Sequence, residues 1–165
     1  MNKMNLRNMD KKSLVVCLVF SPLFLFGAYV ALMGQLDNQL PGIVDYKNGH
    51  TQKAILELQQ YNHDHPCTER HGFFDTRGYS AQKYLGLSYL DTHQNQKAIA
   101  IFSDPCMEGD DSQYCLGIAL QRLGKLQEAR TAFKKCISLI PSGKSFNQGL
   151  YDAAQAKLDS LDKLR

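Results

Sequence analysis

The 165-residue sequence contains no tryptophan and carries no charged residue between Lys12 and Gln35. It also lacks the residue patterns that most chemistry requires. There is no nucleophile elbow, no phosphate-cradling glycine loop and no paired-carboxylate constellation, so catalysis has no support and no cofactor is expected. Five histidines and five cysteines are present, but neither C-x2-C nor H-x3-H spacing occurs among them, which argues against a zinc site. Beyond position 34 basic and acidic residues balance. The basic pI of 8.6 therefore comes from the amino-terminal tail, and nucleic-acid binding, which needs a clustered basic face, is not expected.

What is present begins with a segment that stands apart from the rest. Residues 14–33 are mostly apolar, and twenty residues at about 1.5 Å each match a hydrocarbon core about 30 Å thick. Residues 14–34 are therefore expected to form a transmembrane helix, a signal anchor contacting the lipid bilayer. Residues 1–13, with Lys3, Arg7, Lys11 and Lys12 against Asp10, should be a cytoplasmic tail by the positive-inside rule. A cleaved signal peptide is the competing reading, but its apolar core would be shorter and its exit site would carry small residues. The expected location is the inner membrane, with the remaining domain in the periplasm.

In that domain, Leu116-Gly117, Leu120, Ala129, Phe133 and Pro141 follow the order W-x2-L-G-x2-Y, A-x3-F, P. This resembles the tetratricopeptide repeat, a helix pair with a period of about 34 residues. Gln113 stands in the tryptophan slot and Leu120 in the tyrosine slot. Gly117 and Ala129 lack bulk where two antiparallel helices must touch, and Phe133 fills the space beside them. Gly124-Lys125 supplies the turn.

The spacing recurs. Leu85-Gly86, Tyr89, Ala98 and Phe102 make a second copy, shortened by Asp104-Pro105 because a residue before proline disfavours helical geometry. Ala54, Leu58 and Pro66 make a degenerate first copy, with Gly49 at the turn. Its leading half carries Pro41-Gly42 where a helix should pack, so mainly a second helix is expected there. The expected organisation is 35–66, 79–109 and 110–143 as repeats, within a repeat domain over 35–143. Residues 67–78 are an insertion and 144–165 a capping helix whose apolar stripe is Leu150, Ala154, Leu158 and Leu161. The expected fold is all-α: a transmembrane helix, then an α-solenoid of about two and a half repeats, then the cap.

Cys67, Cys106, Cys115 and Cys136, placed on the repeat pattern, gather at one end of the stack. In an oxidising compartment two disulfides would follow, and Cys67–Cys106 with Cys115–Cys136 is the favoured connectivity. Reduced cysteines packed as small hydrophobes are the alternative. His63, His65 and His71 crowd one loop, where imidazole could bind a metal, although a polar histidine-rich loop explains them as well.

The resemblance implies a concave groove, lined by the first helices, that holds a segment of another protein. Position by position this puts Lys83, Leu87, Leu90, Tyr114, Ile118, Gln121 and Arg122 on its wall. The implied function is a membrane-anchored scaffold for other envelope or membrane-complex proteins, such as a secretion, pilus or cytochrome-maturation assembly. The alternative is a metal- or thiol-handling periplasmic accessory that uses residues 63–71 and the cysteines.

Overall fold

The computed structural model describes residues 39–66, 76–140 and 147–163, all within one compact unit, Asn38–Arg165. These residues form seven α-helices: α1 (Pro41–Lys47), α2 (Thr51–Asp64), α3 (Thr76–Asp91), α4 (Asn95–Phe102), α5 (Asp110–Arg122), α6 (Leu126–Leu139) and α7 (Gln148–Asp162). A 3-10 turn, Pro105–Met107, lies between α4 and α5. Consecutive helices pack against one another as a stack of antiparallel pairs, α1 with α2, α3 with α4 and α5 with α6, and α7 lies on α6.

One contact is repeated in all three pairs. A Cβ added at Gly42, Gly86 or Gly117 would come within 2.6 Å of Leu58, 2.5 Å of Phe102 or 2.5 Å of Phe133 respectively. Each glycine lies sixteen positions before the side chain it faces, so the first helix of each pair can approach the second only because the glycine has no side chain. Ala54, Ala98 and Ala129, the small residues on the facing helices, are fully buried.

The turns repeat as well. Gly49, His93 and Gly124 have φ of +81°, +57° and +74°, the left-handed conformation that ends a helix. In each turn the next amide closes back on a carbonyl five residues upstream: His50 N to Asp45 O at 2.8 Å, Gln94 N to Tyr89 O at 2.8 Å and Lys125 N to Leu120 O at 3.0 Å. These bonds satisfy carbonyls that the helix end would leave without partners.

The first pair is more complete than its sequence suggests. Proline at the first helical position costs no hydrogen bond and starts α1 with the right φ, and Gly42 is the close-contact residue rather than a breaker. The second pair is shorter, as expected. Asp104, before Pro105, is extended with ψ of 133°, and its carboxylate accepts a bond from Cys106 N, so α4 has 8 residues against 14 in α2 and α6. Ile140, before Pro141, is likewise extended.

The core runs along the stack. Ile43, Leu58, Leu85, Phe102 and Met107 anchor its first part, Ala129, Phe133, Leu158 and Leu161 its second, and Cys136, Ile140 and Ala154 a third. The last two parts are closed by α7, whose Ala154, Leu158 and Leu161 are buried at three- and four-residue spacing.

Two expectations are corrected here. No helix among the described residues is long and apolar enough to cross a membrane; the longest, α3, has 16 residues. The fold is all-α without a spanning helix among these residues, and the inner-membrane location and bilayer contact expected of 14–34 are not carried by it. That segment and the tail 1–13 lie outside the described residues. The Cys115–Cys136 bridge is also absent, since both are free thiols. The two sit in different parts of the core: Cys115 packs against the first cluster, whereas Cys136 is buried beside Ile140 and Ala154. Cys106 is not a free thiol; its expected partner Cys67 lies outside the described residues.

Candidate functional site: the first-helix face

The first helices touch one another along the stack, α1 with α3, α3 with α5 and α5 with α7, whereas the second helices α2, α4 and α6 make no comparable contact. A stack drawn together on one side curves toward that side, so the first helices form its inner face.

Polar bridges lock this face together. Between α1 and α3, the Tyr46 hydroxyl donates to Asp91 at 2.8 Å, the Tyr46 and Tyr84 rings meet edge to face at 5.4 Å, and the Lys47 ammonium lies 5.5 Å from the Tyr84 ring centre. Between α3 and α5, Asp111 accepts from the Tyr79 hydroxyl at 2.8 Å and from the Lys83 ammonium. It also takes the Ser112 amide at 2.7 Å, capping the start of its own helix. Burial works against the Asp111 charge, yet the hydrogen bonds from Lys83 and Tyr79 outweigh it and hold the carboxyl below its usual range. Burial and the same carboxylate push the Tyr79 phenol up to about 12. Further along, Arg122 Nη1 donates to the Leu90 carbonyl at 2.6 Å, satisfying the end of α3 from α5.

The residues expected on the groove wall therefore divide. Leu87, Tyr114, Ile118 and Gln121 are part-exposed, with the Tyr114 ring 5.8 Å from that of Phe133. Leu90 is a core residue, 6% exposed. Lys83 and Arg122 are engaged with Asp111 and the Leu90 carbonyl, so their charges do structural work between helices. Asp111 and Tyr79 were not expected at the site. Their only sequence signal is that both stand near the start of a first helix, in consecutive repeats.

The histidine-rich loop gathers little. His65 stacks on Tyr61 with ring centres 4.4 Å apart, and its Nδ1 lies 3.0 Å from the Tyr61 carbonyl. His63 is exposed, and His71 lies outside the described residues. Among the described residues no three histidine, cysteine or acidic side chains are grouped to hold a metal. The free thiols are poor nucleophiles: burial, with Asp111 adding to it, pushes Cys115 up to about 12, and burial pushes Cys136 up to about 11.

Residues 111–142 match the tetratricopeptide repeat family. The match spans α5 and α6, the pair in which Gly117 meets Phe133. No curated protein sequence is significantly similar to the chain. Among solved structures it is similar to PcrH from Pseudomonas aeruginosa, with a TM-score of 0.62 at 18% identity, over 80% of this chain and 92% of that one. Likeness at that identity shows the fold alone. The helix stack has a tetratricopeptide-like fold.

Proposed function

We propose that the chain is a protein-binding scaffold that holds a partly apolar segment of a partner protein against its first-helix face. The observation that carries this reading is the division just described. Leu87, Tyr114, Ile118 and Gln121, all on first helices, remain part-exposed, while Lys83 is paired with Asp111 and Arg122 donates to the Leu90 carbonyl. A face whose cations already hold bonds within the chain favours a partner that brings apolar side chains over one that brings a carboxylate. Lys83 and Arg122 then act by fixing the spacing of α3 and α5, and Asp111 and Tyr79 belong to the same device.

The test is capture of partners from a lysate of the source organism by the full chain and by the Leu87→Gln, Ile118→Gln double variant, at matched expression and with helicity checked by circular dichroism. The double variant should lose the partners that the parent retains. Equal capture by both would overturn this face as the binding surface.

A further inference from the structure

We propose that the turn between α1 and α2 is a site of self-modification, in which Asn48 cyclises onto the Gly49 amide and the hydrolysed product frees α1 from α2. The reaction needs an asparagine followed by a residue that leaves its own amide nitrogen unhindered, and glycine does so because it has no side chain. Asn48-Gly49 is such a pair, whereas every other asparagine precedes a residue that bears a side chain. The stack supplies its own comparison. The corresponding turns read Thr92-His93 and Leu123-Gly124, so neither has an asparagine to react.

Asn48 is exposed, and nothing lies within 4 Å of a Cβ added at Gly49, so no neighbour bars the approach. What delays the reaction is the turn itself. Gly49 N donates to the Tyr46 carbonyl at 3.0 Å and His50 N to the Asp45 carbonyl at 2.8 Å. The Asp45 carboxylate is tied in turn to Lys53 at 2.9 Å and to His50 at 3.2 Å. Ring closure therefore waits for the turn to open, and the helix that must let go, α1, has only 7 residues.

On opening, the Gly49 nitrogen loses its proton to solvent base and attacks Asn48 Cγ. The bond from Cγ to the side-chain nitrogen breaks, ammonia leaves, and a five-membered imide remains. Water then opens the imide. Attack at Cγ gives aspartate; attack at the backbone carbonyl gives an isoaspartyl linkage, one main-chain carbon longer than before. The longer linkage cannot keep both amides on their carbonyls, and either product places a carboxylate at the C-terminal end of α1, where the helix dipole disfavours it. What α1 then loses is its hold on α2, where Gly42 meets Leu58 and Ile43 is fully buried.

The test incubates the folded full chain at mildly alkaline pH and follows each asparagine by peptide mapping with enzymatic detection of isoaspartate. Asn48 should convert ahead of every other asparagine, and at least about tenfold more slowly than in urea, because opening must come first. Asp45→Ala removes the ties to Lys53 and His50 and should speed conversion about tenfold. Lys53→Ala, a change at an exposed residue, should speed it in the same direction and keeps the test valid if Asp45→Ala does not fold. The converted chain should lose hydrogen-exchange protection in α1 and keep it in α5. Earlier conversion of another asparagine, a folded rate equal to that in urea, a rate that Lys53→Ala leaves unchanged, or unaltered exchange in α1 after conversion would overturn the proposal.

Discussion

His93 occupies the turn position that glycine holds in the other two pairs, with φ of +57°. An L side chain in that conformation costs about 1 kcal/mol. His93→Gly is therefore expected to stabilise the chain by about 0.5–1 kcal/mol in urea unfolding. Gly124→Ala should destabilise it by about 1 kcal/mol, and purely through the backbone, because nothing lies within 4 Å of an added Cβ. Ala129 offers the contrasting case. It is fully buried among Leu120, Phe133, Leu158 and Leu161, so Ala129→Leu should cost about 1–3 kcal/mol by overpacking, and an unchanged midpoint would contradict the packing described here. Gly124, Gly117, Ala129 and Phe133 were legible in the sequence because they keep the fixed spacing of the repeat, whereas the turn at His93 was not, because the glycine that marks the other two turns is missing there. The Gly42–Leu58 pair keeps that spacing too. Pro41 hid it, since proline suggests an interrupted helix wherever its position in the helix is unknown.

Whole elements are held in register by side chains that the repeat pattern does not mention. Asp111 ties α5 to α3 through Tyr79 and Lys83, residues 28 to 32 positions earlier in the chain, too far for local spacing to reveal. Its folded pKa is lowered, so its contribution is present above the unfolded value of about 3.9 and is lost as pH falls through the lower folded value. The unfolding midpoint should therefore drop on acidification below about pH 4, and Asp111→Asn should flatten that dependence. At neutral pH the variant should lose about 1–2 kcal/mol, a figure reduced for partial exposure. Arg130 plays the matching part for the last helix. It is 8% exposed and donates to Asp162 at 3.0 Å and to the Leu161 carbonyl at 2.9 Å, bonds that clasp the end of α7. Arg130→Ala should cost about 2–3 kcal/mol, and hydrogen exchange should rise first in α7. The apolar stripe of α7 was readable as a 3.6-residue period, but the arginine that fastens it was not, because a buried charge looks like a surface one until its partners are known.

At the scale of the molecule, repetition of one helix pair sets the curvature, and the curvature sets which side chains a partner meets. Leu87, Tyr114, Ile118 and Gln121, all on first helices, stay part-exposed, whereas Leu90 went to the core and Lys83 and Arg122 to bonds within the chain. The repeat register alone names positions on the inner side of a first helix. It does not say which of them neighbouring helices have already claimed. The bilayer reading of 14–34 falls outside the described residues, and no helix among the described residues is long and apolar enough to cross a membrane. The central claim is that the partner lies on the first-helix face. The most direct measurement is site-specific photo-crosslinking in the source cells, with benzoylphenylalanine placed in turn at Leu87, Ile118, Gln121 and, as the outer control, at Leu56 of α2, which is 68% exposed. A discrete protein adduct should form from Leu87, Ile118 and Gln121 and not from Leu56; an adduct from Leu56 with none from the other three would contradict the account.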